Sequence, residues 1–342
     1  MPDAPETVGP DIFGPDIFGA ALLAAIATDM TGRQGESEAV VATLDAGRHL
    51  VLEGPPGTGK STLLRSLAHH AGLEFVFVEG NAELTPARIV GHHDPSRVLA
   101  EGYTPDAFVP GPLVRALQAG GLFYVEEINR VPEETLNVLI TVMSEGELHI
   151  PRVGRIAAAP TFRLVAAMNP YDAVGTSRIS SAISDRVCRI FLDYQSDDEE
   201  AEIVARRAGS GSTEFVAAVV ALVRATRRHP QIRIGSSVRG AIDLVLVAAS
   251  LARLRGQGIE HPTVTRRATM TALSGRIRVD EAADRTPEEI LAELWMFYLG
   301  AGAPEEDQHG GGVAVPGRPN GATRDGPPPK TSPKAPAPQS LP

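Results

Sequence analysis

The residues from Gly54 to Ser61, Gly-Pro-Pro-Gly-Thr-Gly-Lys-Ser, follow a phosphate-binding pattern of glycine, four residues, glycine, lysine and a hydroxyl residue. The segment lies between a predicted strand and a predicted helix, so the helix directs the positive end of its dipole toward a bound anion. Gly57 and Gly59 allow the backbone to curl and to point its N–H groups at a phosphate. Lys60 then reaches the β- and γ-phosphates of a nucleotide, and the hydroxyl of Ser61 coordinates Mg²⁺. The predicted nucleotide-binding residues are Gly54, Pro55, Pro56, Gly57, Thr58, Gly59, Lys60, Ser61 and Thr62.

Two carboxylates, Glu126 and Glu127, end the apolar run at 122–125. One carboxylate at such a strand end can hold the hydration shell of Mg²⁺, and a second can polarise a water for in-line attack on a γ-phosphate. We therefore assign Glu126, together with Ser61, to the metal and Glu127 to the attacking water. Paired acids at a strand end are by themselves equally typical of a solvated turn, and the phosphate-binding loop favours the catalytic interpretation.

An amide follows the next apolar run, which covers 162–168. Asn169 stands at the carboxyl end of this predicted strand, where the γ-phosphate of a bound nucleotide would lie. It is predicted to orient the attacking water or to sense the phosphate. An asparagine before a proline, here Pro170, is also common in turns.

The arrangement of apolar segments predicts how these residues are positioned. Short apolar runs at 50–52, 75–78, 122–125 and 162–168 alternate with helical patterns, which is typical of an α/β domain with a mainly parallel sheet flanked by helices. We expect this domain at 35–195, after an N-terminal segment at 1–34. Residues 196–301 predict a small all-helical domain, with helices at 215–228, 236–253 and 286–299. The Gly/Pro-rich residues 302–342 predict a disordered tail.

Composition narrows the classes of function. The 342 residues carry 32 Lys and Arg against 42 Asp and Glu, a net charge of -10, which argues against a general attraction to nucleic acid or anionic lipid. The single cysteine, Cys188, excludes an internal disulfide and fits a reducing, cytoplasmic location. We expect Cys188 to be buried in a strand. No apolar stretch has the length that a membrane span requires.

With these motifs in this order and a helical domain behind them, the chain resembles AAA+ ATPases, and among them the MoxR-type group. The likeness covers roughly residues 37–299 and implies a P-loop core followed by a helical lid. The matching segments are Gly-Pro-Pro-Gly-Thr-Gly-Lys at 54–60, Glu-Glu-Ile-Asn-Arg at 126–130, Asn-Pro at 169–170, Ser-Asp-Arg at 184–186 and Gly-Ser-Ser-Val-Arg at 235–239.

The resemblance implies a ring, usually a hexamer, that hydrolyses ATP with Mg²⁺ between neighbouring subunits. Arg186 matches the arginine finger given to the neighbour's site, and Arg178 is the alternative. Arg239 matches the second sensor, which reads the phosphates. The resemblance also implies a protein client, a metalloenzyme or larger assembly that the ring remodels or matures, and a partner with a von Willebrand factor A domain.

Two insertions and one departure also follow from the resemblance. Residues 91–112 match an insert in the second helix, and residues 147–162, turning near Gly154, match a β-hairpin, both facing the ring axis where a client is gripped. The group normally has Asp where this chain has Glu126. The extra methylene displaces the carboxylate by about 1.5 Å, so we expect hydrolysis that is retained but modest.

Three other functions remain open at the sequence level. A DNA-acting AAA+ nucleotidase needs a basic face, for which the candidates are Arg224, Arg227, Arg228, Arg266 and Arg267. These arginines lack the interleaved aromatic residues that stack on bases, so a solvated helix surface is the simpler interpretation. A small-molecule kinase shares the phosphate loop but leaves Glu127 and Arg239 unexplained. A gas-vesicle-type assembly ATPase is the alternative within the same family.

Overall fold

The computed structural model describes residues 17–170 and 181–300. Arg178 and the predicted tail lie outside these residues, as does the first part of the predicted N-terminal segment. The domain boundaries near 35, 196 and 302 stay predictions. Among the described helices, none is both long and apolar enough to cross a bilayer.

The described strands form one large sheet and three small antiparallel pairs. In chain order they are β1 (His49–Glu53), β2 (Phe75–Glu79), β3 (Gly91–His93), β4 (Phe108–Pro110), β5 (Leu122–Glu126), β6 (Glu147–Ile150), β7 (Gly154–Ala157), β8 (Arg163–Met168), β9 (Val187–Phe191), β10 (Ile232–Ile234) and β11 (Arg278–Val279).

The described helices precede, interrupt and follow the sheet. They are α1 (Ala20–Asp29), α2 (Gln34–Asp45), α3 (Lys60–His70), α4 (Pro86–Val90), α5 (Pro95–Glu101), α6 (Pro112–Ala119), α7 (Glu133–Glu145), α8 (Ser181–Ser184), α9 (Asp197–Ala208), α10 (Thr213–Arg228), α11 (Val238–Arg255), α12 (Pro262–Leu273) and α13 (Pro287–Leu299).

In the described residues the large sheet has five strands in the order β2-β5-β8-β1-β9, and every neighbouring pair is parallel. The central strands β1, β5 and β8 are continuous apolar runs because both faces of the sheet are covered. The predicted α/β fold is therefore confirmed, and the four predicted strands match the observed ones within two residues at each end.

Two hydrophobic clusters cover the two faces of this sheet. On one face Leu44 and Leu67, from α2 and α3, pack with Leu50 of β1. On the other face Leu117 and Leu139, from α6 and α7, pack with strand residues of alternate register. Each of these leucines is almost fully buried, and burying such a side chain stabilises the fold by about 1.5–3 kcal/mol.

The edge strand β9 corrects one expectation. Cys188 lies in a strand as predicted, but its side chain is exposed. The strand pairs with β1 on one side and is the last of the sheet, so its side chains are covered less completely than those of a central strand.

Both predicted insertions form compact local structure. In the first, β3 and β4 pair antiparallel around α5. In the second, β6 and β7 form a hairpin whose turn comes just before Gly154, as predicted. The orientation of both inserts toward a ring axis stays a prediction.

The C-terminal helices α9–α13 share a hydrophobic cluster of their own, which includes Leu222, Leu244 and Leu291. The three predicted helices are confirmed as α10, α11 and α13. Two further helices, α9 and α12, complete the bundle, and the short pair β10–β11 corrects the expectation of an all-helical region. Helix α9 begins with a capping box between Ser196 and Glu199.

Candidate functional site

The phosphate-binding loop connects the end of β1 to the start of α3. Gly57 and Gly59 have φ angles of +79° and +87°, in the left-handed region where residues with a side chain are strained. A Cβ atom on Gly57 would lie 2.3 Å from Oγ of Ser237, which immediately precedes α11. The two glycines therefore let the loop curl and let it pack closely against the C-terminal helices.

Lys60, the first residue of α3, lies beneath this loop with 8% of its surface exposed. Its ammonium donates hydrogen bonds to the carbonyl oxygens of Gly54 and Pro55, both at 2.8 Å. Burial lowers the pKa of Lys60 to about 8, Glu126 opposes the shift, and Arg239 and Arg33 add to it. The positive charge is thus held among loop carbonyls at the place where the sequence predicts phosphate.

The predicted metal residues lie next to each other at the carboxyl end of the sheet. The Ser61 hydroxyl donates to Oε1 of Glu126 over 3.3 Å. The described residues include no group of three or more His, Cys, Asp or Glu side chains able to hold a metal by themselves. Hydroxyl and carboxylate oxygens are ligands that suit Mg²⁺, which usually takes its other ligands from phosphate and water. The donor set therefore fits Mg²⁺ bound together with a nucleotide.

Glu127 follows β5 and adopts a left-handed backbone conformation with a φ angle of 54°. A single 3-10 turn from Ile128 to Arg130 comes next. In this turn Nε of Arg130 lies 3.1 Å from Oε2 of Glu127. The predicted base is thus placed beside Glu126 and is paired with a cation three residues along the chain.

Asn169 lies directly after β8, the strand between β1 and β5. The end of β8 is joined to the loop, because the N–H of Gly54 donates to the carbonyl oxygen of Met168 at 3.3 Å. Asn169 is half-buried. The strand order therefore places Asn169 between the ends of β1 and β5, next to which lie the phosphate-binding loop and the two carboxylates.

A cavity of about 870 Å³ opens beside the loop. Its lining comes from Gly57, Gly59 and Thr62, from the end of α1, from α9, and from Val238 and Arg239 at the start of α11. This volume is in the range of small-molecule and cofactor sites. Arg239, the predicted second sensor, therefore faces the same cavity as the phosphate-binding loop.

The predicted arginine finger, Arg186, lies elsewhere. It is exposed just before β9, and its guanidinium donates to Oγ of Ser144 at 2.6 Å and to the carbonyl oxygen of Ala182 at 2.7 Å. It does not line the loop cavity among the residues that the structure describes. The contribution of Arg186 to the site of a neighbouring subunit stays a prediction.

One residue that the sequence analysis missed supports the loop from behind. Arg33 is 4% exposed and donates to the carbonyl oxygen of Thr58 at 3.1 Å. It also donates to the carbonyl oxygen of Asp193 and pairs with Glu36. No motif marks Arg33 as a loop contact, because the two carbonyl oxygens that it binds are distant in the sequence.

A second missed group lies at the rim of the cavity. Asp29, the last residue of α1, accepts hydrogen bonds from Ser66 at 2.6 Å and from His70 at 2.9 Å. These two bonds, with the charge of His70, lower the pKa of Asp29. They attach α1 to α3 and fix one wall of the cavity.

Two of the five arginines in the candidate basic face are paired internally, whereas Arg228, Arg266 and Arg267 are exposed. Arg224 and Arg227 have side chains only 14% and 11% exposed, and both pair with Glu200, which is 1% exposed. Arg227 also stacks over Tyr194, 3.8 Å from the ring centroid. These arginines neutralise a buried carboxylate, which leaves their charge satisfied internally.

The parallel sheet, the loop and its cavity define a P-loop nucleotide-binding domain. Residues 49–187 match the family model of the AAA domain, dynein-related subfamily. This segment is therefore similar to AAA domains, and the relatives described next fit the MoxR-type AAA+ ATPases.

Among known proteins, the gas vesicle ATPase GvpN of Haloferax mediterranei is 27% identical over 209 residues, covering 56% of this chain and 60% of GvpN. The uncharacterized protein YeaC of Bacillus subtilis is 27% identical over 252 residues, covering 66% of this chain and 76% of YeaC. The chain thus spans 60% of the length of its gas vesicle relative. A solved variant of RuvB from Thermotoga maritima has a TM-score of 0.50 at 16% identity over 71% of each chain, and it shows the fold alone.

Proposed function

We propose that this chain binds ATP at the Lys60 loop and hydrolyses it with Glu127 as the base. The observation that carries the proposal is the convergence of three groups: the buried Lys60 ammonium, the Ser61–Glu126 contact of 3.3 Å, and Glu127 at the next position of the chain. Lys60 supplies positive charge to the β- and γ-phosphates. Mg²⁺, held there by Ser61 and Glu126, would neutralise charge on the phosphate oxygens.

The proposed reaction is a displacement by water. Glu127 takes a proton from the water as its oxygen bonds to the γ-phosphorus, and the bond to the bridging oxygen of ADP breaks with its electron pair on ADP. Asn169 orients this water, and Arg239 reads the phosphates from the C-terminal helices. The exposed Arg186 completes the site of a neighbouring subunit in a ring, expected to be a hexamer.

The test of this proposal replaces Glu127 by Gln and measures phosphate release beside ATP affinity. We expect turnover to fall at least about a hundredfold, because the proton acceptor is lost, while affinity stays within twofold. Glu134→Gln, an exposed carboxylate on α7, is the matched control and keeps the parent rate. A Glu127→Gln variant that hydrolyses ATP at the parent rate removes Glu127 from its role.

We further propose that hydrolysis drives the remodelling of a protein client. The gas vesicle ATPase relatives support the assembly of a larger structure as the particular task, whereas a metalloenzyme client and a von Willebrand factor A domain partner are supported by the family resemblance alone. The Glu127→Gln variant should retain its client in ATP and release it in ADP. A client bound equally in both nucleotides contradicts remodelling.

Action on DNA is the competing function. The internal pairing of Arg224 and Arg227 with Glu200 counts against it. Addition of duplex DNA at low salt should leave the rate of phosphate release unchanged. A stimulation that disappears as salt rises would favour the DNA-acting alternative.

A further inference from the structure

We propose that Arg130 is a positioning residue that orients the carboxylate of Glu127 for attack by water. The inference rests on the proposed function, because it concerns the same hydrolysis. It begins from the 3.1 Å contact between Nε of Arg130 and Oε2 of Glu127.

The backbone around Glu127 is fixed by its neighbours. Gly80, which follows β2, donates its N–H to the carbonyl oxygen of Glu126 at 2.7 Å. A Cβ atom on Gly80 would lie 2.3 Å from the carbonyl oxygen of Glu127. The close approach of these two strand ends therefore determines where the Glu127 backbone lies.

Within this close contact of strand ends, the backbone of Glu127 adopts a left-handed conformation. For a residue with a side chain it costs roughly 1–2 kcal/mol, and such strain persists where the surroundings enforce it. The N–H of Arg130 donates to the carbonyl oxygen of Glu127 at 2.9 Å and closes the turn. Backbone closure thus brings the Arg130 side chain back over Glu127.

The ion pair itself contributes little to the stability of the fold. The side chains of Arg130 and Glu127 are 41% and 35% exposed, and pairs so accessible to water are worth well under about 1 kcal/mol. The main effect of the ion pair is on the orientation of the Glu127 carboxylate. With the backbone already fixed, the guanidinium restricts the rotation of the carboxylate.

Oε2 of Glu127 lies against Arg130, and in the proposed reaction the carboxylate so oriented receives the proton of the attacking water. A positioned acceptor is far more effective than a rotating one, and a misplacement of about 1 Å can reduce a rate by roughly a hundredfold. Arg130 therefore acts through Glu127 and makes no contact with substrate in this account.

The test compares steady-state hydrolysis by Arg130→Gln, Arg130→Lys and the parent. We expect Arg130→Gln to lower kcat by roughly ten- to a hundredfold with KM for ATP within twofold, because binding is unaffected and only orientation is lost. Arg130→Lys should recover part of kcat, since it restores a cation. Arg88→Gln, whose exposed partner Glu83 is 3.7 Å away, is the matched control and keeps the parent kcat.

The Glu127→Gln background separates a positioning role from a structural one. Added there, Arg130→Gln should cause no further loss, because the group that it orients is already gone. A full additional loss, a parallel rise in KM, or a parent kcat in Arg130→Gln overturns the inference while leaving the proposed function intact. A parent protein that releases no phosphate overturns both.

Discussion

Lys60 holds its charge in surroundings that oppose it. Burial lowers its pKa to about 8, and the nearby Arg239 and Arg33 contribute in the same direction, against the effect of Glu126. A bound triphosphate reverses this balance, because negative charge beside an ammonium favours its protonated form. At pH values near or above 8, Lys60 should therefore gain a proton when nucleotide binds.

Proton uptake on ATP binding is the first expected outcome. Near pH 8.5, above the pKa of free Lys60, part of the amine is neutral and gains a proton when the triphosphate binds, so proton uptake per ATP should be larger there than near pH 6.5. Near pH 6.5 Lys60 is charged in both states and contributes no uptake. Calorimetry in buffers of different ionisation enthalpy measures this difference, and equal uptake at both pH values contradicts the assignment.

Glu126 offers a second test at this scale. Its longer side chain brings Oε1 to 3.3 Å from the Ser61 hydroxyl, near the outer limit of a hydrogen bond. Glu126→Asp would withdraw the carboxylate by about one carbon–carbon bond, so we expect the Mg²⁺ concentration for half-maximal phosphate release to rise roughly fivefold. A magnesium titration that shifts to lower concentration would show that Asp fits better.

At the scale of elements, the site depends on the close contact between strand ends. Gly80 has an unstrained backbone, yet a side chain there would meet the carbonyl oxygens of Glu126 and Glu127 at 2.9 and 2.3 Å. The backbone that follows β2 is therefore in close contact with the backbone at the end of β5. A glycine is required at this position by space and not by conformation.

Gly80→Ala should move the backbone after β2 away from the end of β5 and displace Glu127. We expect kcat to fall more than about tenfold, and the free energy of unfolding to fall by about 1–3 kcal/mol, which is typical of an overpacked site. Gly258→Ala, between α11 and α12 with open space around it, is the control that leaves both quantities unchanged. Phosphate release measures kcat, and unfolding in denaturant measures the free energy of unfolding. Parent activity in Gly80→Ala contradicts the proposed contact.

At the scale of the whole molecule, the proposed finger role of Arg186 requires an assembly. Its guanidinium contacts Ser144 and Ala182 of its own chain and not the loop cavity. A finger that acts across an interface explains why a residue matching the family motif lies outside the site of its own subunit.

Mixing two inactive variants tests whether neighbouring subunits together form one catalytic site. Arg186→Ala and Glu127→Gln should each bind ATP and release little phosphate. In a mixed ring, an intact Glu127 meets an intact Arg186 from its neighbour, so part of the activity should return. The double variant mixed with either single variant is the control that recovers nothing. Absence of recovery in rings shown by mass to be mixed contradicts the trans assignment.

The central elements and the loop could be predicted because their signals are local. Strand β5 is a continuous apolar run, and the loop residues from Gly54 to Ser61 are contiguous. Helix α9 was not predicted, because its first turn consists of four acidic residues and it has few apolar residues on one face. The Ser196–Glu199 capping box is the local signal that indicates its start.

The remaining features depend on contacts that no local pattern contains. Arg33 binds carbonyl oxygens from two distant segments, and Gly80 is defined by the approach of another strand. In the sequence, Arg224 and Arg227 resemble surface charges. In the structure, both lie on α10 and pair with Glu200, which is buried on the neighbouring helix α9. Tertiary packing, and not residue type, decides each of these roles.

Direct measurement of Mg-ATP binding by the parent and by Lys60→Ala tests the central claim, that a triphosphate binds at the Lys60 loop. Calorimetry near pH 7 should give one ATP per chain for the parent and an affinity roughly ten- to a hundredfold weaker for the variant, because hydrogen bonds from a charged donor are lost. Equal affinity in the two proteins, or no binding by the parent, would contradict the account.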